Sequence, residues 1–303
     1  MNFATGLLAL LGLLYCAAGY AQDEEAPATG TLVVYRVRPS QTDPRIHNFD
    51  NPHWVVFDPA ASATGQLAVF MPGTDGKPGT STLLLRVIAD QGYRAIGLEY
   101  NDEPAVMRVC PRDPDPRCSG HFRHMRIFGG QGGSPVANDA AESIVNRLTR
   151  LLAYLDEQHP QQNWRQYLLA DGPDWSRILV CGLSQGAGMA AYIAKKEPVA
   201  RVVLFSSPWD NFGSSRTLAP WLYEPSITPP ERWFAAYHRR ENTASLIVRA
   251  YSALHIPPAN IRVFALDIPP EYRPKHSDNP FHVTTIRIPA YEPDWRFLVG
   301  HSP

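Results

Sequence analysis

A serine flanked by glycines is the strongest chemical signal in this chain. Residues 182–186 read Gly-Leu-Ser-Gln-Gly and fit the pattern G-x-S-x-G, in which Ser184 occupies a strained turn between a strand and a helix. A non-glycine residue at positive φ leaves no room for bulky neighbours, so Gly182 and Gly186 let the strand and the helix approach each other. A serine hydroxyl presented in this way can attack a carbonyl carbon when a base lies within hydrogen-bond distance.

The segments on either side of Ser184 favour this interpretation over a simple glycine-rich turn with a solvated serine. Residues 178–181 are a short and fully apolar run, which is typical of a strand buried on both faces. Residues 187–196 begin with small side chains and end with Lys195 and Lys196, whose charges suit the C-terminus of a helix. The sequence therefore predicts a strand, a sharp turn at the serine and a helix.

Length and composition fit one folded domain. The chain has 303 residues, of which 44% are hydrophobic and 19% charged, within the range of globular proteins. Its formal net charge of -1 gives no support to nucleic-acid binding or to electrostatic attachment to a membrane. The 29 prolines cluster outside the periodic segments and predict long, stiff loops around a compact sheet.

The N-terminus reads as a removable signal peptide over residues 1–21. An apolar run from Leu7 to Ala18 is followed by small residues and a plausible cleavage site before Gln22. The lack of lysine or arginine at the very start argues against export. A membrane anchor is the alternative, although the run is short; a lipid on Cys16 is disfavoured because the bulky Tyr15 precedes it. We expect a single mature domain, residues 22–303, that is secreted or periplasmic.

The cysteines agree with export. Cys110 and Cys118 bracket a polar, proline-rich segment, and a disulfide between them would pin it in an oxidising compartment. Cys181 lies inside the strand before the serine and reads as an inert buried thiol rather than a second nucleophile.

Strands and helices alternate along most of the chain. Residues 32–37 and 53–57 read as edge strands of a hairpin, and a long irregular segment is expected over residues 101–135. Further strands are expected over residues 67–71, 95–100, 178–181, 202–205, 233–237 and 261–266. Helices are expected over residues 82–91, 138–159, 187–196 and 244–255. This alternation predicts an α/β fold, a mostly parallel central sheet with helices on both faces.

Taken together, these features resemble the α/β-hydrolase superfamily over nearly the whole mature chain. The local matches lie at residues 69–74, 98–101, 182–186 and 207–210, and within the superfamily the chain is similar to secreted hydrolases of poorly defined substrate. The resemblance implies an α/β-hydrolase fold and a triad in the chain order serine, acid, histidine. The serine motif is fairly specific for the superfamily and indicates little about the substrate.

The resemblance places the acid after the second strand that follows the serine. Glu241 lies there, just ahead of a helix, and is the favoured acid. It could instead be a solvated carboxylate that stabilises the N-terminus of that helix. Asp210, one strand earlier, is the main rival, and Asp267 is a weaker one.

The histidine should follow the last strand, where two candidates lie. His282 is favoured because residues 281–285 resemble the C-terminal histidine segment of the superfamily; His276 is the rival. His121 and His124 have H-x-x-H spacing without nearby carboxylates or thiolates, so they make weak metal ligands. No metal and no cofactor are expected.

An oxyanion on the attacked carbonyl needs two preorganised backbone donors. The resemblance places one at the N–H of Gln185 and the other in the loop after the strand at residues 67–71, where Thr74 is favoured. The superfamily often has His-Gly in this loop and the chain has Pro-Gly-Thr, so an ordinary turn is the other reading.

The segment at residues 211–232 carries Phe212, Trp221 and Tyr223, which could wall an acyl pocket or simply cover the edge of the sheet.

Together, these features of the sequence predict a secreted serine hydrolase that acts on small carboxylic esters, with no nucleic-acid partner and no membrane span after removal of the signal peptide. A peptidase, a thioesterase and a non-catalytic binding protein of the same fold stay open, as does the oligomeric state.

Overall fold

The computed structural model describes Met1 and residues 32–130, 135–213, 216–275 and 277–300. Its centre is an eight-stranded sheet. The strands are β1 (Val33–Val37), β2 (His53–Phe57), β3 (Leu67–Met71), β4 (Arg94–Gly97), β5 (Ile178–Leu183), β6 (Arg201–Phe205), β7 (Trp233–His238) and β8 (Ile261–Phe264). Their order in the sheet is β1-β2-β4-β3-β5-β6-β7-β8. Strand β2 runs antiparallel to its neighbours β1 and β4, and the other pairs are parallel.

The central strands β3 and β5 are buried along their whole length, because helices cover both faces of the sheet. Successive side chains of a strand point to opposite faces, so each strand feeds two separate hydrophobic cores. Val69 and Val180 belong to one core, whereas Phe70 and Leu179 belong to the other. Apolar runs without alternation, as read from the sequence, are the expected signature of such strands.

The helices of the described residues divide between the two faces. The α-helices are α1 (Pro39–Thr42), α2 (Thr82–Ala89), α3 (Val106–Val109), α4 (Cys118–Phe128), α5 (Ile144–Gln158), α6 (Gln185–Lys196), α7 (Ala244–Ala253), α8 (Pro280–Thr284) and α9 (Glu292–Val299). Helices α2 and α9 contribute to one core, and helices α4, α5, α6 and α7 contribute to the other. Two short antiparallel ladders lie outside the main sheet, Leu168–Leu169 with Gly172–Pro173 and Asn211–Phe212 with Thr217–Leu218.

The predicted fold class, an α/β-hydrolase fold, is confirmed. The prediction of a long irregular segment over residues 101–135 is wrong, since they contain α3 and the eleven-residue helix α4. The helix predicted over residues 138–159 begins only at Ile144. The buried faces of α4 include Arg123 and Arg126 beside Phe122 and Met125, so its apolar stripe is interrupted by cations. The predicted disulfide between Cys110 and Cys118 is present and closes the start of α4 onto the end of α3.

The predicted signal peptide lies outside the described residues apart from Met1, as does Cys16. Within the described ranges, we find no helix with the length and apolar character needed to cross a membrane.

Candidate active site

Ser184 stands at the turn from β5 into α6 with φ 54° and ψ −119°, a left-handed conformation that non-glycine residues rarely adopt. Its N–H donates to the carbonyl of Phe205 at 3.0 Å, and its own carbonyl accepts the N–H of Gly188 at 3.1 Å. The turn is therefore held from the neighbouring strand and from the first turn of the helix. Ser184 is partly exposed, whereas the residues on both sides of it are buried.

The two glycines of the motif are required by close backbone contacts. A Cβ on Gly182 would lie 2.4 Å from the carbonyl carbon of Gly186, and one on Gly186 would lie 2.0 Å from the carbonyl oxygen of Met71. Any larger residue would push β5, α6 and β3 apart, as the sequence predicted.

The buried carboxylate of Glu241 pairs with the partly exposed imidazole of His282. His282 Nδ1 donates to Glu241 Oε2 at 2.7 Å, and the carboxylate side chain has no exposed surface. Since an ionised carboxylate only accepts, the neutral tautomer that fits this contact carries its proton on Nδ1 and its lone pair on Nε2. Glu241 Oε1 accepts two further bonds of 2.7 Å, from the backbone N–H of His238 and from Ser206 Oγ.

Ser206 is a site residue that the sequence reading missed. It directly follows β6, has φ 56°, and is fully buried between the strand that carries Ser184 and the strand that precedes Glu241. Its only sequence signal is its place directly after a buried strand, at the edge where the other site residues are expected.

The helix that carries His282 is anchored by an aromatic contact. The ring of Phe281 stacks on His238 with centroids 4.4 Å apart, and the guanidinium of Arg240 lies 4.2 Å from the Phe281 centroid. Burial lowers the pKa of His238, which accepts the Arg240 N–H at Nδ1, so the stacked ring stays neutral. Helix α8 is thereby fixed to the end of β7, next to Glu241.

The rival acids have other partners. Asp210 is buried in a bidentate ion pair with Arg123, at 2.7 and 2.5 Å, and also accepts the indole N–H of Trp221 at 2.9 Å. Asp267 pairs with Arg240 at 2.6 Å and its side chain is 93% exposed. The rival histidine, His276, lies outside the described residues.

The predicted oxyanion loop lies directly against the serine. A Cβ on Gly73 would be 3.1 Å from Ser184 Cβ, so the backbone of residues 72–74 passes over the nucleophile. Within the described part of the chain, the N–H groups of Thr74 and Gln185 donate no hydrogen bond, which leaves both free for a ligand. The side chain of Gln185 is fixed, since its Oε1 accepts the N–H of Val106 at 2.8 Å.

A cavity of about 180 Å³ opens beside the serine. Ser184, Thr74 and His282 all line it, so the structure brings three predicted site residues to one opening. The other lining residues are Pro72, Gly73, Asp75, Gly76, Thr80, Ser81, Leu183, Val283, Ile286 and Arg287. Among the described residues, no hydrogen bond joins Ser184 Oγ to His282.

The aromatic residues of the 211–232 segment do not wall this cavity, contrary to one of the two sequence interpretations. Trp221 is buried against Arg123, with the guanidinium 5.5 Å from its ring, and Tyr223 is 60% exposed at a separate surface groove. The apolar wall beside the serine is formed by Leu183, Val283 and Ile286 instead.

Two further kinds of reactive group were considered from the sequence, the Cys181 thiol and sets of metal-ligating side chains. Burial raises the pKa of the Cys181 thiol, as expected of an unreactive core cysteine. The ranges that the structure describes hold no cluster of three or more His, Cys, Asp or Glu side chains arranged to bind a metal ion.

No protein-family model and no curated protein matches the sequence. Several solved structures are similar to this chain. A bacterial heroin esterase is 12% identical in sequence, and the aligned region covers 93% of this chain and 84% of the esterase chain with a TM-score of 0.45. An inhibited esterase B from Lactobacillus rhamnosis is 14% identical over 91% of this chain and 86% of its own, with a TM-score of 0.47. An esterase from the archaeon Pyrobaculum calidifontis is 14% identical over 89% and 84%, with a TM-score of 0.43. At these values the likeness assigns no residue of the site.

Proposed function

We propose that this chain, which has the α/β-hydrolase fold, is an exported serine hydrolase that cleaves small carboxylic esters through an acyl-enzyme. One observation carries the proposal: His282, which lines the cavity beside Ser184, is held at Nδ1 by the buried carboxylate of Glu241 at 2.7 Å. When this imidazole is neutral and donates its Nδ1 proton to the carboxylate, its Nε2 lone pair can accept a proton from the partly exposed serine.

In the first half-reaction, Ser184 Oγ attacks the ester carbonyl carbon and His282 Nε2 takes the hydroxyl proton. Glu241 orients the imidazole and stabilises the imidazolium that forms. The N–H groups of Thr74 and Gln185 bind the oxygen that becomes negative, in a position prepared by the loop against Ser184. When the tetrahedral intermediate collapses, His282 returns the proton to the departing alcohol, and the acyl group stays on Ser184.

In the second half-reaction, water replaces the alcohol. His282 takes a proton from the water as it attacks the acyl carbon, and the same two N–H groups bind the oxyanion. Collapse returns the proton to Ser184 Oγ and releases the carboxylic acid. No metal or other cofactor is needed for any of these steps.

The size of the cavity supports a small substrate. At about 180 Å³ it is below the range of roughly 300–1,000 Å³ that holds drug-sized ligands. Its apolar wall suits a short acyl chain, and its polar side carries the serine and the oxyanion loop.

Export is supported by two observations. The disulfide between Cys110 and Cys118 is of the kind that persists in oxidising compartments, and residues 1–21 have the pattern of a signal peptide. Secretion of a tagged full-length chain from a bacterial host, with N-terminal sequencing of the product, tests this part. A mature N-terminus at Gln22 supports it, and retention of Met1 on a cytoplasmic product contradicts it.

A matched panel of butyryl substrates tests the reaction class. Initial rates are measured with a p-nitrophenyl ester, a thioester and an anilide, for wild type, Ser184→Ala and His282→Ala. We expect wild type to turn over the ester fastest and both variants to lose activity. Preference for the thioester or the anilide would instead favour a thioesterase or a peptidase. Absence of turnover by folded wild type with all three would favour a non-catalytic binding protein.

A further inference from the structure

We infer that Asp102 is a positioning residue that couples the two backbone donors of the oxyanion hole, an inference that rests on the proposed function. Asp102 follows β4 at the edge of the sheet where the serine lies, and it is 1% exposed. It is not part of the Ser184, His282 and Glu241 set, and it does not line the cavity.

The side chain of Asp102 holds the loop of the first donor. Its Oδ2 accepts the N–H of Gly76 at 3.1 Å, and the same N–H also donates to the carbonyl of Gly73 at 2.9 Å. This shared bond closes the turn at residues 73–76, which contains Thr74 and passes over Ser184. The turn is tight, because a Cβ on Gly76 would lie 2.7 Å from the Gly73 carbonyl oxygen.

The main chain of Asp102 holds the residue of the second donor. Gln185 Nε2 donates to the carbonyl of Asp102 at 2.6 Å and to that of Pro104 at 3.2 Å. Gln185 is thus tied on one side to α6 and on the other to the segment that carries the Asp102 carboxylate. One residue therefore sets the distance between the Thr74 and Gln185 N–H groups.

Only one of the two oxygens of the Asp102 carboxyl is hydrogen-bonded among the described residues. Its second oxygen, Oδ1, is buried and has no hydrogen-bond partner among the described residues. A carboxylate left half-unpaired in the interior is costly, so its retention next to the oxyanion loop needs a reason. An ionised acceptor makes a stronger bond to an N–H than a neutral one, which tightens the loop.

The titratable and charged groups that face the Asp102 carboxyl are Glu99, Tyr100, Glu103, Lys77 and Arg126. Burial and, less strongly, the Glu99 carboxyl raise the pKa of Asp102 while Lys77 lowers it, and the net pKa is about 7. The bond to Gly76 therefore changes strength near neutral pH.

Steady-state kinetics of Asp102→Ala and Asp102→Asn test the inference with the ester substrate. At pH 8 we expect kcat of D102A to fall by about 10- to 100-fold with KM changed less than about threefold, because the loop matters most for the transition state. D102N keeps an acceptor for Gly76 and should recover kcat to within about threefold of wild type. Equal losses in both variants, or no loss in D102A, would overturn the inference.

The pH profile separates positioning from a structural role. A carboxyl of pKa about 7 is about one-tenth ionised at pH 6 and nine-tenths at pH 8, so the ratio of wild-type to D102N kcat/KM should rise from about 1 to at most about 3 between these values. Glu99→Gln removes the neighbouring carboxyl and should move the acid limb of the wild-type profile to lower pH without changing kcat at pH 8. Profiles of identical shape in wild type, D102N and E99Q would contradict a role for the Asp102 charge.

Labelling with a fluorophosphonate distinguishes the two possible failures. A folded wild type whose Ser184 does not react overturns the proposed function and this inference together. Reactive wild type with Asp102 variants that react at the wild-type rate overturns the inference alone. If D102A does not fold, the D102N and E99Q profiles decide the matter.

Discussion

The hydroxyl of Ser206 donates to Glu241 Oε1 at 2.7 Å, from a backbone held at φ 56°. This contact links the end of β6 to the acid that follows β7, so the acid is fixed by the strand between it and the serine. A strained residue that contributes its side chain to a buried carboxylate is what a positioning role requires.

The Ser206 hydroxyl should matter for rate more than for folding. Replacement by Ala or Gly removes one of three donors to Glu241, and we expect kcat/KM to fall about tenfold, equivalent to about 1.4 kcal/mol in activation free energy. Gly also relieves the strain at positive φ, so Ser206→Gly should melt higher than Ser206→Ala while losing the same activity. Recovery of wild-type activity in Ser206→Gly would contradict the role of the hydroxyl.

Glu241 should be needed for catalysis, whereas the rival acids should not. Glu241→Gln keeps the size of the side chain, but an amide no longer favours the His282 tautomer that carries its proton on Nδ1. We therefore expect kcat to fall roughly 10³- to 10⁴-fold with little change in melting temperature. Asp267→Asn is the matched control, because Asp267 is exposed and pairs with Arg240; its activity should stay within about twofold of wild type. A larger loss of kcat in Asp267→Asn than in Glu241→Gln would assign the role of the acid to Asp267.

Asp210 should contribute to the free energy of unfolding through its buried ion pair with Arg123. Asp210→Asn leaves the buried guanidinium of Arg123 without its counter-charge, and breaking a buried pair in this way typically costs about 3–5 kcal/mol. The measurement is chemical unfolding in urea. An unfolding free energy equal to that of wild type would show that Arg123 finds another partner.

The disulfide should support both stability and activity. In the chain-entropy account, closing a loop with a sequence separation of 8 contributes about 2.5 kcal/mol. It also joins α3, whose Val106 N–H binds Gln185, to α4, whose Arg123 donates to the Gln185 carbonyl at 3.3 Å. We expect reduction to lower the melting temperature and the esterase rate together. The double variant Cys110→Ser/Cys118→Ser should show both losses and no further response to reductant, and a response to reductant in that variant would locate the effect elsewhere.

Asp102 should make stability depend on pH in a defined direction. Its folded-state pKa of about 7 lies above the value of about 3.9 in an unfolded chain, so the cost of the buried charge is absent below pH 4 and complete above pH 7. Asp102→Asn removes that cost, and its melting temperature relative to wild type should therefore rise between pH 5 and pH 8. A difference that is constant over this range would show that the carboxyl does not titrate there.

The structure also shows which features the sequence could predict. The turn at Ser184 was predictable because its glycines and its flanking strand are local in sequence. Ser206 and Asp102 were not, because their importance comes from contacts with residues 35 and 26 positions away. Helix α4 was missed because Arg123 and Arg126 occupy its buried face, where a period of apolar residues is normally sought.

Mass spectrometry of the intact protein after fluorophosphonate treatment tests the central claim most directly, that Ser184 is an activated nucleophile. The account predicts one adduct on folded wild type, mapped to the peptide that contains Ser184, and none on Ser184→Ala. Wild type that stays unmodified while folded, or Ser184→Ala that is modified to the same extent, would contradict it.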